Sequence, residues 1–124
     1  MLFLETAFSG WGAALLLGIG ISLPYFVRAG YRSSLVPHYC IGLLLPVLSL
    51  LHAWIPMAAI PIRRLDRPGL WIGTAALLVM VCQAALGLAL RQAAGASRRG
   101  LRRTHFASMV LLALLVAGHI VRSR

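Results

Sequence analysis

Residues 104–121 read THFASMVLLALLVAGHIV, and this stretch decides the fold. It contains no charged residue and holds two of the four histidines of the chain, His105 at its start and His119 near its end. A second uncharged stretch, residues 33–62, holds the other two, His38 and His52. Both pairs are spaced by fourteen residues. In an α-helix this spacing brings both histidines of a pair to the same side, about 21 Å apart along the axis.

Uncharged stretches of this kind make up most of the chain of 124 residues. There are four of them: residues 6–27, 33–62, 68–90 and 104–121. Each can span a bilayer as a helix, the last one only just. With 60% hydrophobic and 11% charged residues, the composition excludes an ordinary soluble domain. We predict an all-α fold, an integral membrane four-helix transmembrane bundle that forms a single domain, residues 1–124. The predicted helices are approximately residues 8–27, 36–56, 69–91 and 103–121.

The formal net charge is +10, and all twelve basic residues are arginines. They lie at the ends of the uncharged stretches and in the loops between them. Arginines in such positions contact lipid head groups and help to determine membrane topology. Little polar surface remains that could bind a nucleic acid, so we expect no nucleic-acid partner. The lipid bilayer is the first predicted partner.

Short loops predict helices that alternate in direction, so the second and the fourth helix are expected to run parallel to each other. His38 and His105 then lie near one membrane face, and His52 and His119 lie near the other. Two imidazoles are thereby expected at each of two levels in the membrane.

The third predicted helix contains two glycines, Gly73 and Gly87, that are also fourteen residues apart. Because this helix runs in the opposite direction, Gly87 is expected level with His105 and Gly73 level with His119. Small residues in membrane helices often allow two helices to approach each other closely. Their spacing, equal to that of the histidines, favours a second role, which is to make room for the face of a porphyrin.

Neutral imidazole is a common axial ligand of haem iron. We predict two non-covalent haem b groups, with iron ligated by His38 and His105 in one and by His52 and His119 in the other. The chain has no C-x-x-C-H motif, which excludes covalent c-type attachment. A single interfacial histidine is more often a head-group contact, but four at matched depths are poorly explained in that way. Zinc would need about four ligands around one ion, and a proton relay would usually need acidic residues within the spans.

Haem propionates are carboxylates, and a buried carboxylate needs a charged or hydrogen-bonding partner. Most of the arginines are topology markers, but some are adjacent to the histidines in the sequence. The predicted propionate partners are Arg102 and Arg103, beside His105, and Arg122, beside His119.

At these residues the chain resembles the haem-binding core of cytochrome b from quinol-oxidising respiratory complexes. In that family two parallel helices of a four-helix bundle each carry two histidines at this spacing, and glycines of the intervening helices lie against the haem faces. The four histidines match the ligand pattern, and Gly73 and Gly87 match the glycine pattern of the third helix. The first helix departs from it, because Phe26 stands fourteen residues after Gly12. Ferric reductases and the NADPH-oxidase group use a similar core, with further helices and a nucleotide-binding domain.

The resemblance implies a dihaem b-type membrane cytochrome subunit that carries electrons across the membrane, between a quinone pool or a membrane partner and other redox subunits. No residue is predicted to be catalytic, and the expected partners are other subunits of a membrane redox complex and a quinone at an interface. The expected location is the bacterial inner membrane, as a multi-pass protein. Two alternatives remain open: a stand-alone quinol or metal reductase, and a haem-free membrane helper or transporter subunit.

Overall fold

The computed structural model describes residues 2–31, 34–59 and 68–122, with side chains for residues 8–31, 34–54 and 68–122. Within these residues the chain forms four α-helices and no β-strand, which confirms the all-α fold class. The helices are α1 (Leu2–Arg28), α2 (Val36–Ala59), α3 (Pro68–Gln92) and α4 (Gly95–Arg122). All four are long and apolar enough to cross a membrane. The chain is therefore a multi-pass membrane protein in a lipid bilayer.

The largest difference from the predicted helix bounds is at the start of α4. The sequence predicts a loop before residue 103, with Gly95 and Gly100 as breakers, but α4 already begins at Gly95. Gly95 has a φ of +58°, a backbone conformation that glycine adopts without steric cost. Only residues 93 and 94 therefore link α3 to α4. Gly100 lies inside the helix, since one glycine costs only about 1 kcal/mol there.

Two compact units divide the chain, Met1–Ala59 and Ile60–Arg124. In the first unit α1 packs on α2, and in the second α3 packs on α4; we call these the first and the second helix pair. Each pair is antiparallel, because contacts join the start of one helix to the end of the other. The prediction of a single domain depends on the packing of the two pairs against each other, and it stays a prediction.

A glycine C-cap ends α1 and begins the turn toward α2. The N–H of Tyr31 donates to the carbonyl of Phe26 (3.0 Å), and the N–H of Gly30 donates to that of Val27 (3.2 Å). Gly30 has a φ of +81°, as expected at the residue after the helix in a Schellman motif. The rings of Phe26 and Tyr31 meet edge to face, 6.3 Å apart, which adds the apolar contact typical of this motif.

Large apolar side chains cover the outside of the helices. Leu15, Leu114 and Val121 are each about two-thirds exposed or more, at 68%, 67% and 71%. Such surfaces suit contact with lipid chains, in which apolar groups carry no hydration cost. Trp11 and Trp54 lie at the same end of the first pair and are both exposed, as tryptophans are at a membrane interface.

Candidate functional site

The four predicted ligand histidines are partly buried, and each contacts the other helix of its own pair. His38 and His52 lie on α2 and contact α1. His105 and His119 lie on α4 and contact α3.

His119 makes the closest of these contacts in the second pair. Its Nδ1 lies 2.7 Å from the carbonyl oxygen of Gly69, in the first turn of α3. Gly73, one turn further along α3, faces the imidazole: a Cβ at this position would come within 2.9 Å of both Cε1 and Nδ1. Real Cβ atoms do not approach this closely, so glycine is what allows the ring to lie against the helix backbone.

His105 faces Gly87 at the other level of the second pair, with 3.7 Å between its Cε1 and a Cβ built on that glycine. Both predicted levels within this pair are therefore confirmed, Gly87 with His105 and Gly73 with His119. Gly73 makes room for an imidazole ring, and its role beside a porphyrin stays a prediction.

A hydrogen-bonded cluster holds α3 and α4 together beside His105. Gln83 of α3 donates from Nε2 to the carbonyl of His105 (3.0 Å) and accepts a hydrogen bond from the hydroxyl of Ser108. The hydroxyl of Ser108 also lies 3.1 Å from the carbonyl of His105. Side-chain hydrogen bonds between membrane helices contribute about 0.6 kcal/mol each on average, and up to about 1.7. This cluster joins α3 to α4 at the level of His105, and we expect it to fix the register of the two helices.

In the first pair, His52 is held by two consecutive residues of α1. Its Nδ1 lies 3.0 Å from the hydroxyl oxygen of Ser9. A Cβ on Gly10 would come within 2.9 Å of its Cε1. Gly10 thus has the same relation to His52 that Gly73 has to His119.

His38, at the other level of the first pair, lies with its Nδ1 2.8 Å from the carbonyl oxygen of Gly20. Gly20 is buried, and a Cβ there would lie 3.1 Å from Cγ2 of Ile41. Because Gly20 has no side chain, α2 can approach α1 closely enough for the hydrogen bond to form.

The hydrogen bonds of His38 and His119 to backbone carbonyls determine which nitrogen of each of these two imidazoles carries the proton. A carbonyl oxygen only accepts, so Nδ1 of His38 and of His119 must carry the proton and donate it. In the neutral imidazole Nε2 then carries the lone pair. Histidines that ligate metals characteristically donate their other ring N–H to a carbonyl or a carboxylate in this way, which fixes tautomer and ring orientation. His38 and His119 therefore have the properties expected of axial ligands of haem iron.

The sequence predicted the histidines and the two glycines of α3 beside them, Gly73 and Gly87, but not the other residues that contact the imidazoles. Gly10 was not predicted, because Pro24 and not a second glycine stands fourteen residues after it. Gly69 and Gly73 form a G-x-x-x-G pattern, a signal of close helix contact. No spacing or motif in the sequence pointed to Ser9 or Gln83. Gly12 is the residue of the first helix that was compared with the family's glycine pattern. A Cβ at this position would meet no neighbouring atom within 4 Å.

The predicted propionate partners are all exposed. Arg102 and Arg103 lie in the helical extension of α4 and not in a loop, and Arg122 is its last residue. At 100° per residue, Arg102 lies about 60° around the helix from His105, whereas Arg103 lies about 160° away. Arg102 therefore shares a side of α4 with His105 better than Arg103 does.

No protein-family model, no curated protein and no solved structure matches this chain.

Proposed function

We propose that this chain is a dihaem b-type membrane cytochrome subunit. It carries electrons across the membrane between a quinone pool, or another membrane partner, and other redox subunits. One observation carries the proposal. The Nδ1 atoms of His38 and His119 are hydrogen-bonded to backbone carbonyls of the neighbouring helices, at 2.8 and 2.7 Å, which leaves Nε2 as the nitrogen with the lone pair.

The proposal assigns two ligands to each haem, His38 with His105 and His52 with His119. Bound haem supplies reversible one-electron transfer at its iron. The imidazoles supply nitrogen ligands, and the hydrogen bonds at Nδ1 orient those of His38 and His119. Arg102, Arg103 and Arg122 are assigned to the propionates as charge-assisted hydrogen-bond donors.

Two levels of histidines also suit electron transfer through the bilayer. His38 and His52 are separated along α2 by about 21 Å, as are His105 and His119 along α4. This distance covers a large part of the roughly 30 Å hydrocarbon core. A cofactor at each level would bring electrons from near one membrane face to near the other.

A structural role alone would explain less. Histidines do form hydrogen bonds between membrane helices, and single contacts of this kind need no cofactor. All four histidines of the chain, however, contact the neighbouring helix of their pair, and glycines adjoin the rings of His52, His105 and His119. This repeated arrangement favours one shared role for the four imidazoles. The bacterial inner membrane is the proposed location.

The test is a pyridine haemochrome assay on the purified full chain, with protein determined by amino-acid analysis. The expected result is two b-type haems per chain. A chain without haem, after expression in a haem-sufficient host, would reject the proposal in favour of a helper or transporter subunit. Reduction of the haems by quinol with the purified chain alone would favour the stand-alone reductase.

A further inference from the structure

Pro24 changes the hydrogen bonding of α1 at one position. In a regular α-helix the carbonyl of residue 20 accepts a hydrogen bond from the N–H of residue 24. Proline has no N–H, so the carbonyl of Gly20 lacks this donor. Within a bilayer, water does not replace it, and prolines in membrane helices are tolerated where neighbouring groups satisfy the backbone atoms that they leave.

His38 supplies the missing donor. Its Nδ1 lies 2.8 Å from the carbonyl oxygen of Gly20, across the contact between α1 and α2. Gly20 is buried and adjoins Ile41, one turn after His38 on the same side of α2. A larger residue at position 20 would move α2 away and lengthen the hydrogen bond.

The register of the two helices singles out position 24. Gly10 of α1 contacts His52 of α2. Pro24 lies fourteen residues after Gly10, and His38 lies fourteen residues before His52. In this antiparallel pair, Pro24 is therefore level with His38. α3 has a glycine level with each histidine of α4, whereas α1 has Pro24 in place of the second glycine. His119 makes a comparable hydrogen bond to the carbonyl of Gly69, although Gly73 supplies a helix N–H to that carbonyl. At Gly20 the proline therefore removes a competing donor and is not a condition for the contact.

We propose that Pro24 is a positioning residue for His38. Because it withholds an N–H from the carbonyl of Gly20, the Nδ1–H of His38 meets no competing helix donor at this oxygen. The imidazole is thereby held in one orientation, with the lone pair on Nε2. That this nitrogen ligates iron rests on the proposed function, whereas the hydrogen bond itself does not depend on haem.

The experiment compares the wild-type chain with Pro24→Ala, which restores an N–H at position 24. Alanine is a better helix former than proline, so the variant is expected to fold. The readout is the exchange rate of the His38 Nδ1–H proton with water, measured by NMR on the ¹⁵N-histidine-labelled full chain. Spectra are recorded under reducing conditions, because low-spin ferrous haem is diamagnetic. We expect exchange about fivefold faster in Pro24→Ala, as the helix N–H competes for the carbonyl of Gly20.

Two further variants separate this effect from a general change in the helix. Pro24→Gly also restores the N–H but is a poor helix former, so faster exchange in both variants assigns the effect to the N–H. Pro46→Ala is the matched control, since it restores an N–H to a carbonyl of α2, that of Gly42, and should leave His38 unchanged. Unchanged exchange in Pro24→Ala, or an equal change in Pro46→Ala, would overturn the inference. A chain without haem that shows the Pro24 effect would reject only the proposed function.

Discussion

The Nδ1 nitrogen of His119 lies 2.7 Å from the carbonyl oxygen of Gly69, one helical turn before the glycine on which the imidazole ring rests. That second glycine, Gly73, leaves no room for a side chain. The ring therefore contacts the backbone of α3 at two successive turns. The position of a candidate ligand thus depends on two residues that carry no functional group.

Gly73→Ala should displace His119. The new methyl group would lie 2.9 Å from Cε1 and Nδ1, so the ring must shift and its hydrogen bond to Gly69 must lengthen. Overfilling of this kind costs about 1–3 kcal/mol. We expect loss or a spectral shift of the haem assigned to His52 and His119, measured as haem per chain together with expression level.

Gly87→Ala is the matched control on the same helix. Its methyl group would lie 3.7 Å from Cε1 of His105, an ordinary van der Waals contact, so both haems should remain. If Gly73→Ala lowered both haems equally and reduced expression, the glycine would serve helix packing alone.

The assignment of ligands to levels can be tested with four single variants. His38→Ala and His105→Ala should remove the same haem, and His52→Ala and His119→Ala should remove the other, because each iron needs both axial ligands. Low-temperature difference spectra and redox titration of each variant resolve the two haems. A common spectral loss in His38→Ala and His52→Ala would mean that the two helix pairs are arranged differently from the proposal.

Ser9→Ala should affect only the level of His52. It removes the hydroxyl that lies 3.0 Å from Nδ1, and a hydrogen bond of this kind contributes about 1 kcal/mol. We expect a shifted midpoint potential for one haem, because the hydrogen bond at Nδ1 influences ligand basicity. Ser22→Ala is the control: its hydroxyl bonds to the carbonyl of Gly18 in the same helix. Equal shifts in both variants would argue against a specific role of Ser9.

Gln83→Leu should loosen the second helix pair beside His105. It removes the hydrogen bonds to the carbonyl of His105 and from the hydroxyl of Ser108, at a cost of about 1–2 kcal/mol for contacts between membrane helices. The measurement is the midpoint of unfolding by SDS in mixed micelles. Thr74→Val is the control, because the hydroxyl of Thr74 bonds within α3, to Leu70. A Gln83→Leu chain as stable as this control would show that the cluster does not fix the register.

The sequence by itself determined the four spans and the levels within the second pair. Runs without charge identify membrane helices, because the hydrocarbon core excludes charged side chains whatever the helix packs against. Gly73 with His119, and Gly87 with His105, lie symmetrically about residue 96, as partners in an antiparallel pair with a short link must. Spacing alone was therefore enough to predict which glycine meets which histidine.

Only the tertiary structure decided which atoms hold the imidazoles. The hydrogen bonds of His38 to Gly20 and of His52 to Ser9 depend on how far α1 is rotated and shifted against α2. No periodicity within one helix specifies that relation, because it results from the packing of side chains on both. The start of α4 at Gly95 was likewise missed, since a glycine at positive φ can end one helix or begin the next. The sequence therefore determined where the histidines lie along the helices, and helix packing determined which nitrogen of His38 and of His119 donates its proton.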